Sequence, residues 1–391
     1  MTSLLQSNIS RFQRYSLLIG IAGLLLTVLG VFTHRRQFFI SYLFGYLFWL
    51  GLTLGCFAIT MIHHLTGGRW GYPTRRFLEA GFSVLPVMTL LFIPVLLGIS
   101  DLYPWARHEV ATHDEILQKQ ALYMNRGAFA ARAIFFFVLW NFMVISLRKW
   151  SLQQDRTPDP EPTRKLRYLS GLGLVIFPLT ATFAYVDWIM STEPHWYSTM
   201  FAVIVLIGQI LTAFAFCVIL LFIFGKHQPL AAVLNRTHYH HLGNLLLTFV
   251  LFWTYVSFGQ LLIIYAGNLP REINWYLHRI NGGWVYIAGT LGLLHFFLPF
   301  VLLLFRTVKQ HGSRLTAIAV VLFSAHVLNV YWMIAPSFYP KGFSVHWTDF
   351  TAFGGIGGIW IAVFLSRVKS APLLPQHDPG QQFAFSYAHA H

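Results

Sequence analysis

Apolar runs of about 20 residues recur ten times along this chain, the length that the hydrocarbon core of a bilayer demands of a spanning helix. They fall at 15–33, 39–63, 78–98, 128–147, 168–189, 199–225, 243–266, 283–305, 314–334 and 348–366. The runs are too long for barrel strands and lack the alternation of polar and apolar residues that a barrel requires. A soluble domain carries roughly a quarter of its residues as Asp, Glu, Lys or Arg. Here the figure is 10%, so most of the surface faces something other than water. The fold class that follows is an all-α polytopic membrane protein of about ten transmembrane helices.

The formal charge of +14 does not mark a nucleic-acid surface. Its basic residues sit in short clusters between apolar runs, such as His34-Arg35-Arg36, Arg75-Arg76, Arg148-Lys149 and Arg164-Lys165. That arrangement writes topology. The face holding both chain ends carries 18 Lys and Arg, and the opposite face 9. The excess predicts cytoplasmic N- and C-termini. Arg11 and Arg14 precede the first run, which lacks a small-residue cleavage site and reads as a retained helix. Cys56 and Cys217 lie inside apolar runs and supply no CxxC or CxxCH, so neither an iron–sulfur cluster nor a c-type haem is expected on this chain.

Spans 2–5 and 6–9 read as a tandem repeat. Cys56 and Cys217 hold matching places, Gly81 and Gly243 open matching spans, and Asp187-Trp188 near the end of span 5 parallels Tyr331-Trp332 near the end of span 9. Four helices per unit keep both units in the same orientation. The expected division is helix 1 over 1–38, a four-helix bundle over 39–190, a second over 191–336, helix 10 over 337–369 and a disordered tail over 370–391. Residues 99–127 form the longest connection and are expected to be partly helical. Residues 148–167 read as a polar linker.

Ionisable side chains within spans are costly and are therefore functional candidates. Arg132 in span 4 and Asp187 in span 5 are expected at similar depth as an ion pair, structural or proton-transferring. Glu193 and His195 follow Asp187 and extend a polar path towards water. His295 in span 8 and His326 in span 9 each lie about a dozen residues from the terminal-face ends of their helices, ~17 Å in, where they can face one another. Hydrogen-bonded packing, a proton relay and haem ligation all remain open for that pair. His63, His64, Arg75, Arg76 and Glu79 cluster at the terminal face, where charges ordinarily anchor helix ends. Span 7 is the most polar, with Tyr255, Ser257 and Gln260, suited to a proton wire or a quinone pocket. The sequence contains no P-loop, HExxH, GxSxG or dinucleotide-binding glycine motif. Gly354 to Gly358 is expected to permit close helix contact.

Asp187-Trp188-Ile189-Met190-Ser191-Thr192-Glu193-Pro194-His195-Trp196-Tyr197-Ser198 resembles a signature of the ActF family, integral membrane components of bacterial alternative complex III. Trp253 through Gln260, Asn268-Leu269-Pro270-Arg271-Glu272, Tyr103-Pro104-Trp105, Lys119, Tyr123, Asn125 and Arg132 extend the likeness over almost the whole chain. Arg271 stands where that pattern leads one to expect an acid. The family is related to the NrfD-like membrane component of polysulfide reductase, and the resemblance implies two four-helix bundles plus two peripheral helices. It also implies a non-catalytic subunit of a quinol:electron-acceptor oxidoreductase, without a bound redox cofactor of its own and with part of a proton path. A quinone is the ligand it allows. The partners it implies are a sister NrfD-like membrane subunit, an iron–sulfur subunit, haem c subunits and a terminal oxidase, together with membrane lipids and no nucleic acid. Asp187, Glu193, His195, Tyr255 and Gln260 would be the residues to test, with Arg132, His295 and His326 beside them. Two readings compete. One is a secondary transporter, disfavoured because no span shows an obvious Gly/Pro interruption. The other is a b-type haem carrier using His295 and His326.

Overall fold

The computed structural model describes residues 3–68 and 70–378, and every regular element among them is helical. Helix α1 runs Ser3–Thr66, which at 1.5 Å per residue is about 95 Å, three bilayer cores end to end. It is a hairpin, because His34 leaves helical geometry at φ −147° and ψ 80° and divides it into two arms, 3–33 and 35–66. The other spans are α2 (Gly71–Leu97), α3 (Arg126–Gln154), α4 (Glu161–Trp188), α5 (Phe201–Phe224) and α6 (Arg236–Gly267). A surface helix α7 (Pro270–Ile280) separates these from α8 (Trp284–Leu304), α9 (Gly312–Ile334) and α10 (Trp347–Lys369). Nine helices among the described residues are long and apolar enough to span, and the folded α1 crosses twice, so the chain makes ten crossings.

Contacts with α10 demonstrate the hairpin. Along the first arm, Gly20 meets Gly358, Gly23 meets Gly355 and Thr27 meets Thr351, so numbers fall as they rise in the partner. Along the second arm, Ser41 meets Asp349, Trp49 meets Phe353 and Thr53 meets Trp360, so numbers rise together. Helix α10 is therefore antiparallel to one arm, parallel to the other and wedged between them. A Cβ at Gly358 would lie 2.5 Å from the Gly20 Cα, so only glycine allows this approach. Between helices in lipid, close packing at small residues replaces the hydrophobic drive available in water. Asp349 completes a capping box at the α10 start and accepts from Ser41 at 2.6 Å, a buried acid that span counting does not single out.

The remaining contacts close two rings. The second arm of α1 touches α2 and α4, while α3 touches both α2 and α4. Helix α5 touches α6 and α9, and α8 touches both of those. Both rings run in the same chain order. They meet where Gly51 and Gly55 admit Gln209, whose amide oxygen accepts from Tyr185 at 2.5 Å. Cys56 and Cys217 are buried and unbridged. Both ends of the chain's bundle lie on one face, hereafter the terminal face, where Lys369 Nζ donates to Ser10 Oγ at 3.2 Å.

Three expectations change. Spans are interrupted after all: α2 breaks into Gly71–Phe82, Leu85–Leu90 and Ile93–Leu97, with Pro86 and Pro94 opening the last two segments. Proline has no N–H to continue the ladder. The linker shortens to 155–160, because α3 and α4 continue past the apolar runs on their own hydrogen bonds. Residues 370–378, assigned above to a disordered tail, turn back on the terminal face with Leu373 and Leu374 buried. Residues 379–391 lie outside the described residues. The connection over 99–127 contains three short α-helices and a 3-10 turn, partly helical as expected.

Candidate functional site: a buried histidine pair below an aromatic cavity

In α8 the ladder widens to a π turn over Gly292–Phe297, directly before Pro299. Pro299 cannot donate to the carbonyl of His295, four residues earlier, and the extra residue in the turn changes the direction of the side chains it carries. Such turns are frequent at functional sites. His295 is thereby fully buried, with its ring centroid 5.7 Å from that of His326 on α9 and the planes 24° apart. Trp253 of α6 stands edge-on to His295 at 4.2 Å. The two histidines face one another, as their spacing along the spans predicts, but they share no hydrogen bond.

Four polar atoms of this cluster have no protein partner: both ring nitrogens of His295, Nδ1 of His326 and Nε1 of Trp253. A buried polar group without a partner costs about 1–3 kcal/mol, so four in one place make this cluster a candidate site. Gly208 of α5 makes the space. A Cβ there would lie 2.8 Å from His326 Cε1 and 3.4 Å from Trp253 Nε1.

Above the cluster, towards the opposite face, lies a cavity of about 590 Å³ bounded by α5, α6, α7, α8 and α9. Its walls are aromatic and aliphatic, including Trp275, Phe296 and Trp332, with Ser257, Gln260 and Asn329 as polar insets. Tyr255 stands at its rim and is largely exposed on the outer side of α6. Gln260 accepts from Ser198 at 2.9 Å and donates to the Tyr276 hydroxyl at 3.3 Å. Burial raises that hydroxyl to about 12.

Beyond the Trp275 wall, Glu193 accepts from Arg279 Nη1 at 2.8 Å, Ser337 Oγ at 2.6 Å and His278 Nδ1 at 3.1 Å. Arg279 is fully buried, lies 3.7 Å over the Trp275 ring and donates to the Met333 carbonyl at 2.7 Å. Burial pushes the Glu193 carboxyl up, but Arg279, His278 and Ser337 outweigh it and hold the group at about 2. It is an anion at any physiological pH.

The other acids separate. Arg132 and Asp187 form the expected pair, bidentate at 2.7 and 3.0 Å, with the guanidinium 3.8 Å over the Tyr123 ring. His195 pairs with Asp114 at 2.7 Å and is half exposed. Asp187, Glu193 and His195 thus take three different sets of partners and do not line one path. Sequence reading passed over Arg279, His278 and Trp253's contact with His295. The spacing of His295 to Pro299 was the one available signal for the π turn.

At the terminal face, Arg75 and Arg76 of the set expected to anchor helix ends converge with Arg148 on Glu79, while His63 and His64 do not bond it. Glu79 is wholly buried and accepts from Arg75 at 2.8 Å, Arg76 at 2.6 Å and Arg148 at 2.9 Å, with Ser151 donating to it as well. Compared with known proteins, this sequence matches no family model and no curated protein.

Proposed function

We propose that the chain is an integral, non-catalytic subunit of a respiratory quinol:electron-acceptor oxidoreductase of the alternative complex III type, and that its second ring carries protons. The observation that supports this reading is the His295 and His326 pair with its unpartnered ring nitrogens, packed against Trp253, which itself lines the aromatic cavity. Two neutral imidazoles 5.7 Å apart can exchange a proton through one bridging water, since each ring both donates and accepts. Asn329, Ser257 and Gln260 continue the polar groups along the cavity, and Glu193 with His278 stands at the opposite face. In this reading Asp187 and Arg132 belong to the first ring and act apart from that route.

A quinone ring, which supplies two-electron and two-proton redox chemistry when bound, suits the lining. The walls are apolar, and the Trp253 and Gln260 N–H groups would hold its carbonyl oxygens. In this reading the Lys and Arg excess places both termini in the cytoplasm of a bacterial cell, and the partners are a sister membrane subunit, an iron–sulfur subunit, haem c subunits and a terminal oxidase.

The competing readings have less in their favour. A transporter fold places helix breaks at matching points of its two halves. Here they fall in the second helix of the first ring and the third of the second. A haem held by His295 and His326 needs a planar slot between them, whereas α5 presses on His326 at Gly208 and Trp253 stands against His295.

The test is quinol-oxidising turnover and proton release in assembled complexes carrying His326→Ala or Asp187→Asn. A loss of proton release in His326→Ala is expected. Unchanged values in both variants, with assembly intact, remove the proton-carrying role. Purification of the tagged chain as a single colourless polypeptide would remove the complex itself and favour a transporter.

A further inference from the structure

The terminal-face network contains three guanidinium groups, Arg75, Arg76 and Arg148, and three carboxylates, Glu79, Asp155 and Asp378. Two of the acids are fixed on helices or at a helix end. Glu79 lies within α2 and Asp155 caps α3. The third comes from the segment 370–378, which has no regular structure beyond its first turn. Asp378 reaches back to pair with Arg75, while Gln376 N–H donates to Asp155 at 2.8 Å. One of the three charges that balance this buried network is therefore held only by a terminal segment.

Where Asp378 meets Arg75 there is a cavity of about 80 Å³, bounded by His63, His64, Tyr72, Gln154 and Arg167. Arg75 is fixed within it, donating to Glu79, to Ser151 at 2.9 Å and to Gln154 at 2.8 Å. His64 is buried and uses Nδ1 on Ser170 at 2.9 Å, while its Nε2 has no partner. Arg167 is exposed at the rim. Two cations and an imidazole with a spare nitrogen thus line the cavity beside one carboxylate, while the Gln154 amide is spent on Arg75 and Thr163. That donor set exceeds what a single Asp needs, and guanidinium forks recognise carboxylate and phosphate oxygens alike.

We propose that this cavity is an oxyanion site for a phosphate group, and that Asp378 of the chain's own C-terminal segment occupies it as an exchangeable latch. Withdrawal of the segment leaves three buried guanidinium groups against two carboxylates, with Arg75 still paired to Glu79, an imbalance that is costly until another anion arrives. An incoming phosphate oxygen takes Arg75 Nη1 in place of Asp378, and Arg167 together with His64 Nε2, in the tautomer that carries its proton there, supplies further donors that the carboxylate leaves unused. The phosphate can belong to a soluble phosphate or to the headgroup of an acidic phospholipid at this surface.

The experiment compares full-length wild type, Asp378→Asn and Asp378→Asn/Arg167→Gln. Inorganic phosphate is titrated calorimetrically into each protein in a phosphate-free maltoside detergent. In parallel, each is placed in nanodiscs of phosphatidylcholine with or without phosphatidylglycerol, and retained lipid is read by native mass spectrometry. Asp378→Asn should bind one of the two probes at least tenfold more tightly than wild type, and Arg167→Gln should reverse most of that gain. Tightening towards inorganic phosphate identifies a soluble ligand, and preferential retention of phosphatidylglycerol alone identifies the headgroup. Equal behaviour of Asp378→Asn and wild type on both probes overturns the latch. A gain untouched by Arg167→Gln places the anion elsewhere and overturns the site.

Discussion

Replacing Arg279 by Met takes the cation from a carboxylate that cannot reach bulk water easily. Glu193 keeps 13% of its side chain exposed and Arg279 none. The protein brings the Glu193 carboxyl from its ordinary 4.5 down to about 2 against the opposing effect of burial. At about 1.4 kcal/mol per pH unit, that depression corresponds to ~3 kcal/mol of stability at neutral pH. A separate route to the magnitude agrees, since breaking a buried ion pair by removing one partner costs about 3–5 kcal/mol. We therefore expect Arg279→Met to lose ~3–5 kcal/mol at pH 7. Adding Glu193→Gln removes the stranded anion, so the double variant should recover much of the loss, with a coupling energy of about 2–3 kcal/mol. The assay is reversible unfolding of all four proteins in mixed micelles, followed by tryptophan fluorescence. The pH dependence has a definite sign. The folded value lies below the unfolded one, so the stabilisation is complete above about pH 4.5 and fades as pH falls towards 2. The advantage of wild type over Glu193→Gln should shrink through that window. Additivity within ~0.5 kcal/mol, or an advantage unchanged across the window, would refute the reasoning.

Gly358→Ile should pry the first arm of α1 from α10, since even a Cβ there would lie 2.5 Å from the Gly20 Cα. Disulfide trapping between cysteines placed at Thr27 and Thr351 should fall sharply, and trapping at the wild-type level would contradict the packing. Asp349→Ala removes the α10 capping box and the Ser41 bond, so unfolding should cost ~1–2 kcal/mol less and amide exchange at the α10 start should accelerate. Gly208→Val should destabilise the fold by about 1–3 kcal/mol by forcing His326 and Trp253 apart, read by the same unfolding assay.

Ten apolar crossing segments and their order were legible in the sequence, because hydropathy is a local quantity that sums over about 20 consecutive residues. The Arg132–Asp187 pair was legible for a related reason. Each residue sits near the same end of sequential helices, and an unpaired charge at that depth is too costly to leave. The facing of His295 and His326 also followed from distance along two neighbouring spans. What depth along a helix cannot report is rotation about its axis and the identity of its neighbours. Glu193 is six residues beyond Asp187, yet it serves the second ring, because the choice of Arg279 depends on how α7 lies across Trp275. The π turn that buries His295 and the return of Asp378 to Arg75 are likewise settled by packing between segments far apart in the chain. Sequence alone determined how often this protein crosses a membrane and at what depth its charges lie. Tertiary structure decided which charges meet, because partnership depends on the rotation and spacing of whole helices summed over many weak contacts.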